Sequence, residues 1–510
     1  MILSRRDFLL TAAASASAIP FALRAQTPDA GRVFRHGVAS GDPLTDRVIL
    51  WTRATPPAGA GRGDIPVRWR IAEDEALTRV AAQGVAPAMA GRDFTVKVDA
   101  GQLQPGRTYF YAFDARGEQS PVGRTKTLPG SGAERLRLAS VSCSNYPAGF
   151  FNPYRCIANR DDLDVVLHLG DYIYEFADGV YGAGAALDRV PLPAGETVTL
   201  DEYRQRYAIY RSDIDLQDVH RRHPFIVVWD DHEIANDASL TGAPAHTAKQ
   251  GLWAVRRAAA YQAYLDWMPV RETSRRDIRL YRSFRVGGLA DLIMLDTRGL
   301  RDAQVNGTDF DALADPRRSV LGAEQETWFS GRMRDSQRSG TAWRIFGQQI
   351  LFAPLTIPGI AAQNTDIWDG YPAARRRVFD LIARERIADI AILTGDVHSS
   401  WAMDVPSPGN KYEARSGAGS VAIELVTPAV SSPPMFASAA LKDRTSLLRL
   451  AAPHIKYLEG DSRGYLLIDL TRARLQADWY HVPTVSERTD REQKAASWVS
   501  ERGSSRLTPA

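Results

Sequence analysis

The chain has 510 residues, 44% of them hydrophobic and 24% charged, with a formal net charge of +3. Such a length predicts two or three domains rather than one core, and the composition excludes a disordered protein. Removing the first 25 residues, with Arg5, Arg6 and Arg24 against Asp7, leaves about +1, so neither a nucleic-acid binder nor a polybasic membrane protein is implied.

The N-terminus is the first informative segment. Ser4-Arg-Arg-Asp-Phe-Leu-Leu10 has the pattern of a twin-arginine export signal, followed by an apolar, Ala-rich stretch from Phe8 to Leu23. That stretch, roughly 16 residues, is shorter than the ~20 needed to span a bilayer. Residues 1–25 are therefore expected to be a signal peptide, cleaved after Ala25 although Leu23 only half meets the small-residue rule. The twin-arginine translocation machinery would carry the folded chain to the periplasm or outside. No later segment is apolar enough for a stable membrane span.

Residues 31–128 carry short runs separated by Pro and Gly turns: Val33 to Ala39, Val48 to Arg53, Val67 to Ala72, Phe94 to Val98, Thr108 to Asp114 and Gly123 to Thr127. This grammar predicts an antiparallel, immunoglobulin- or fibronectin-like all-β sandwich. The linker Leu128-Pro-Gly-Ser-Gly-Ala133 marks its end. From 135 to 485 strands alternate with helices, expected at Lys249 to Trp267, Gly322 to Gln337 and Ala373 to Ile387, so this is an α/β (α+β) domain. Gly464 to His481 reads as a hairpin, and 486–510, charged and Ser-rich, as a frayed C-terminal tail.

The chemistry lies in four polar clusters that each end an apolar run: Ser142-Cys-Ser-Asn145, Gly170-Asp-Tyr-Ile-Tyr174, Trp229-Asp-Asp-His-Glu233 and Gly395-Asp-Val-His398. Buried strands ending this way gather ligands along one rim of a sheet, where open α/β sheets place their sites. Asp171 is positioned to bridge two cations, as a two-metal hydrolase requires. Cys143 adds a thiolate, Tyr174 a phenolate and His398 an imidazole. Thiolate and phenolate beside a carboxylate favour Fe³⁺. Asp171, Asp231 and Asp396 offer a second, oxygen-only set suited to Ca²⁺, Mg²⁺ or Mn²⁺.

His232 reads as the proton donor to a leaving alkoxide, or as a hydrogen bond to the phosphoryl oxygens. Asn145 and, more weakly, Arg211 are candidate substrate-phosphate contacts. Arg298 and Arg301 read equally well as buried ion pairs supporting the sheet. Of the two cysteines, Cys143 is expected to be a ligand and Cys156 a buried free thiol rather than its disulfide partner. Each cluster alone could be an ordinary turn; four together argue for a site.

Taken together, Ser4-Arg-Arg-Asp-Phe-Leu9, Ser142-Cys143, Gly170-Asp-Tyr-Ile-Tyr174, Trp229-Asp-Asp-His-Glu233, Leu295-Asp-Thr-Arg298 and Gly395-Asp-Val-His398 resemble the PhoD family of alkaline phosphatases. That family is similar to the calcineurin-like metallophosphoesterases, and the resemblance implies two packed β-sheets flanked by helices behind the β-sandwich. It also implies Fe³⁺ on Cys143, Asp171, Tyr174 and His398, and Ca²⁺ on Asp171, Asp231 and Asp396. Against the wider metallophosphoesterase pattern, Cys143-Ser-Asn145 replaces Asp-x-His, Asp231-His232 replaces Asn-His, and Gly-Asp-Val-His398 replaces Gly-His-x-His. Most of these changes trade nitrogen for oxygen or sulfur.

The expected function is an exported alkaline phosphatase that hydrolyses phosphate esters by in-line attack of a metal-bound hydroxide. A phosphodiesterase acting on polymeric or lipid phosphodiesters is the enzymatic alternative, and a non-catalytic metal-binding or adhesion protein the alternative of another class. Substrate choice is expected to lie in loops such as 177–200 and 359–370.

Overall fold

Ten, seven and five strands make up the three sheets of the computed structural model, which describes residues 31–57, 59, 63–272, 279–355, 364–435 and 448–510. The expected signal peptide, and residues 359–363 of the second candidate specificity loop, lie outside these described residues.

The ten-stranded sheet is centred on three short parallel strands, Arg135–Val141, Val165–His168 and Pro224–Val227. Val165–His168 and Pro224–Val227 are buried along their whole length. Parallel strands covered on both faces need such continuous apolar runs, which is why these segments do not alternate. The seven-stranded sheet has a parallel centre of its own in Ala290–Met294, Trp343–Gly347, Ile390–Thr394 and Ser420–Val426.

The two large sheets pack face to face. Leu136, Leu138, Val165 and Leu167 from one share a core with Leu292, Ile345, Leu393 and Leu425 from the other. Helices Asn152–Ala158, Leu200–Tyr210, Ile214–Arg222 and Trp253–Trp267 cover the outer face of the first sheet. Gly322–Arg338 and Pro372–Glu385 cover the second. Leu200–Tyr210 starts on a capping box in which Thr199 and Glu202 satisfy each other's backbone N–H groups.

Three expectations need correction. Residues 31–128 do form two facing layers, but only one of those sheets is their own. Strands Val38–Gly41, Val48–Arg53 and Thr95–Ala100 belong to the ten-stranded sheet, joined to it by a parallel pairing of Ser40 with Pro224. Alternation and turn residues mark strands without naming a partner more than 180 positions away, so the sequence read as a self-contained sandwich.

Residues 486–510 are not a frayed tail either. Gln493–Glu501 pairs along its length with Arg474–Val482, and Thr508–Pro509 closes the sheet edge. The short apolar set Ala496, Trp498 and Val499 was masked by the charged residues before it.

Finally, the four clusters do not share one sheet. Three follow strands of the ten-stranded sheet, whereas Gly395-Asp-Val-His398 follows Ile390–Thr394 in the seven-stranded one. The rims meet where Thr427 Oγ1 donates to Ser140 O (2.8 Å) and Ser142 bridges to Ala429.

Candidate active site

At this shared rim four candidate ligands adopt left-handed backbone conformations: Cys143 (φ 61°), Asp171 (φ 55°), Asp396 (φ 63°) and His398 (φ 51°). Residues other than glycine enter this region rarely and at a cost, and clustering of that strain is typical of functional sites. The two Gly-Asp pairs have a steric origin. A Cβ on Gly170 would lie 2.3 Å from Asp230 Cβ, and one on Gly395 would lie 2.9 Å from Ser142 Cβ. Neither strand end could approach its neighbour with a side chain there.

Three overlapping groups of ligand atoms result, each with its atoms within 4.8 Å of one another: Cys143, Asp171 and His398; Asp171, Asp231 and His232; Asp230, Asp231 and Asp396. Asp171 belongs to the first two and Asp231 to the last two, so the carboxylates link them in a chain. Tyr174 joins the first group. Its hydroxyl donates to Asp171 Oδ2 (2.9 Å), lies 3.2 Å from His398 Nε2, and accepts from Ser432 Oγ (2.7 Å). His398 Nδ1 is placed against Pro433 O (2.9 Å) and the Tyr181 hydroxyl (3.1 Å).

Burial raises the pKa of Asp171 to about 7, with Asp231 and Asp396 adding to the shift and His232 opposing it. Burial, and then Asp171, push the Cys143 thiol and the Tyr174 phenol well above their ordinary values. Such groups ionise only beside a strong positive charge. Asp171 Oδ1 and Asp230 Oδ2 are buried without a hydrogen-bond donor among the described residues. Sulfur, phenol, imidazole and carboxylate donors with open lone pairs fit a pair of cations, one of them hard and highly charged.

The site carries some positive charge of its own. Arg298, fully buried, bonds Asp230 through Nε, Asp366 through Nη1 (2.7 Å) and Asp396 through Nη2 (2.9 Å), with Asp231 3.6 Å away. Burial opposes its charge, but these carboxylates together raise its pKa well above the ordinary value. His232 Nδ1 lies 2.7 Å from Glu175 Oε2. Desolvation lowers the His232 pKa, but Glu175, Asp171 and Asp231 together outweigh it and the net shift is well upward.

Sequence profiles agree with this geometry. The profile described as "PhoD-like phosphatase" matches residues 138–479, and "PhoD-like phosphatase, N-terminal domain" matches 17–129. The chain belongs to the PhoD-like phosphatase family. It is 37% identical over 469 residues to alkaline phosphatase D of Bacillus subtilis (strain 168), covering 89% of this chain and 78% of that protein. A solved structure titled "Structure of PhoD" superposes with a TM-score of 0.84 at 34% identity, covering 96% of this chain and 93% of that one. As a PhoD-like phosphatase the protein is a phosphoric ester hydrolase.

Of the residues expected from sequence in this phosphatase, the structure gathers Cys143, Asp171, Tyr174, Asp231, His232, Asp396 and His398. Asn145 sits at their margin, its Nδ2 donating to Tyr181 O (2.5 Å). Arg211 is the exception. It is fully buried with its guanidinium 4.1 Å from the centre of the Trp51 ring, against the N-terminal strands, and belongs to none of the three ligand groups. An arginine followed by Ser and Asp looked like a phosphate clamp, but it caps the C-terminus of helix Leu200–Tyr210.

Several functional residues were not read from the sequence. Glu233 accepts the backbone N–H groups of Asp171 (3.0 Å) and Asp230 (2.7 Å), tying two clusters together. Glu175 follows Tyr174 directly, and a buried carboxylate next to a ligand motif was an available signal. Asp366 and Tyr181 carried no individual signal, although they lie in the loops 359–370 and 177–200 expected to govern substrate choice. The two cysteines are free and buried, and no helix among the described residues is long and apolar enough to cross a membrane.

Proposed function

We propose that the protein is an exported, metal-dependent alkaline phosphatase with a calcineurin-like metallophosphoesterase core, cleaving phosphate esters at the rim between its two large sheets. The carrying observation is the chain of three ligand groups linked through Asp171 and Asp231. Cys143, Asp171, Tyr174 and His398 would hold Fe³⁺, and Asp171, Asp231 and Asp396 would hold Ca²⁺, with Asp230 a further oxygen donor. When bound, the cations would supply charge neutralisation at the phosphoryl group and lower the pKa of a water.

The chain's own residues account for the remaining steps. Glu175 fixes His232 through Nδ1, leaving Nε2 to carry the proton. Held by Glu175, it would protonate the departing alkoxide. Asn145 would contact the phosphate, whereas Arg211, fully buried against Trp51, would not. Arg298 keeps Asp230 and Asp396 in place against their mutual repulsion. The Ser4–Leu10 motif supports export through the twin-arginine machinery to the periplasm or outside.

A metal inventory on protein purified after export, paired with kcat/KM on mono- and bis-nitrophenyl phosphate, tests this reading. About one iron with calcium per chain, and preference for the monoester, would support it. Zinc alone would sink the iron assignment, and preference for the diester would favour a phosphodiesterase.

A further inference from the structure

The loop that follows strand Ser420–Val426 returns along the rim, where its residues 430–433 lie against the Cys143 loop. The Val430 N–H donates to Ser142 O (2.9 Å), and the N–H groups of Ser431 (3.3 Å) and Ser432 (3.2 Å) both donate to Cys143 O. Ser431 Oγ donates to Asn145 O (2.8 Å), and Arg463 Nε donates to Ser432 O (3.3 Å). Both serines are buried. These bonds fix the segment beside the ligands.

Two of its groups reach ligand residues. Pro433 O lies 2.9 Å from His398 Nδ1. A carbonyl only accepts, so the proton of the neutral ring sits on Nδ1, and the Nε2 lone pair is left for the group that Cys143 and Asp171 share. Ser432 Oγ lies 2.7 Å from the Tyr174 hydroxyl oxygen and 2.9 Å from Cys143 O. It has one hydrogen for two oxygens. Cys143 O already receives two backbone N–H groups, one for each lone pair.

Tyr174 carries no proton on its oxygen when that oxygen is a ligand, and His398 Nε2, 3.2 Å away, has none to give. The hydrogen between Ser432 and Tyr174 then has to come from Ser432. Among the described residues no other donor stands at that oxygen. A hydrogen bond to an anionic oxygen is short and strong, and partners of this kind orient a ligand and tune its bond to the metal.

We propose that Ser432 is a positioning residue of this phosphatase: its hydroxyl donates to the ligating Tyr174 oxygen, orients the ring and draws electron density away from the oxygen–metal bond. The inference rests on the reading of Tyr174 as an iron ligand.

The test uses the full-length, metal-loaded protein. A phenolate on Fe³⁺ gives a charge-transfer band in the visible range, and its energy falls when a donor to the oxygen is removed. Ser432→Ala should keep its iron, read by mass spectrometry, and move the band to longer wavelength by about 20 nm, the scale of one charge-assisted hydrogen bond. Ser431→Ala removes a neighbouring hydroxyl aimed at Asn145 O and should leave the band in place. In the unsubstituted protein the phenolate C–O stretch, read by resonance Raman, should shift on transfer to D₂O, and Ser432→Ala should lose that shift. A band unmoved by Ser432→Ala at full iron content, or a stretch indifferent to D₂O, overturns the proposal alone. Iron without the band, or zinc in its place, overturns the Tyr174 assignment and the proposal with it.

Discussion

Glu175 Oε2 and His232 Nδ1 stand 2.7 Å apart in a buried pocket, with Glu175 Oε1 also accepting from the Asn236 backbone N–H (2.6 Å). The carboxylate is thus anchored before it orients the ring, and the Tyr174 ring packs 4.2 Å from the imidazole centroid. A positioned imidazole contributes on the order of 10² or more to rate. Glu175→Gln should lower kcat by about that factor while leaving metal content unchanged. The loss should grow as the leaving group becomes a poorer one, from p-nitrophenyl to alkyl phosphate. A loss independent of leaving group would remove His232 from the role of proton donor.

Among the described residues, Asp171 alone is common to the groups built on Cys143 and on His232. Asp171→Asn should therefore lower bound iron and calcium together, whereas Cys143→Ser should lower iron alone. Mass spectrometry of the purified variants reads both. Retention of both metals in Asp171→Asn would show that it does not bridge them.

How much of this was legible beforehand follows from range. Asp171, Asp396 and His398 could be found because each follows an unbroken apolar run, and the Gly before each Asp reports a close approach. The sharing of the site by two sheets could not, because nothing in Ile390–Thr394 distinguishes a partner in one sheet from a partner in the other. The same limit hid the pairing of Ser40 with Pro224. Arg211 was misplaced for the opposite reason: local composition suggested a surface anion contact, and only the fold shows that the helix end is buried.

Stripping the metals should make stability depend on pH. Burial, aided by neighbouring carboxylates, raises the folded pKa of Asp171 from 3.8 to about 7. Burial with the nearby Asp171 raises Glu233 from 4.5 to about 8, against the backbone N–H groups it accepts. Between pH 4 and 8 the folded chain then holds protons that the unfolded chain has released, so stability falls as pH rises through that window. His232, raised in the folded state, acts in the same direction. The Tm of chelated protein should drop from pH 5 to 8, and the metal-loaded protein should be much flatter. A chelated protein that gains stability over this range would contradict the assignment of these carboxylates.

Removal of residues 490–510 separates the two readings of the C-terminus. A frayed tail would be lost without consequence. Here, however, its strand covers Arg474–Val482, and Val499 and Leu507 are buried. Deletion should strip the ladder from a nine-residue strand and expose it as a sheet edge open to other chains. The truncated protein should be largely insoluble, or melt well below the full chain, when assayed by sedimentation and thermal unfolding.

Arg298 offers the sharpest test of what holds the acidic rim together. It bonds three buried carboxylates; Arg301 still pairs Asp366, so loss of Arg298 leaves Asp230 and Asp396 to repel one another in a poorly solvated site. Breaking a buried ion pair from one side typically costs about 3–5 kcal/mol. Arg298→Met should lose stability of that order in chelated protein, where no cation can substitute. Asp366 keeps Arg301 as a partner, so adding Asp366→Asn to Arg298→Met should recover none of the loss. Because added metal ions can neutralise Asp230 and Asp396, metal should rescue most of the single variant's stability. No rescue by metal would mean that the loss arises at Asp366 and not at the ligand carboxylates.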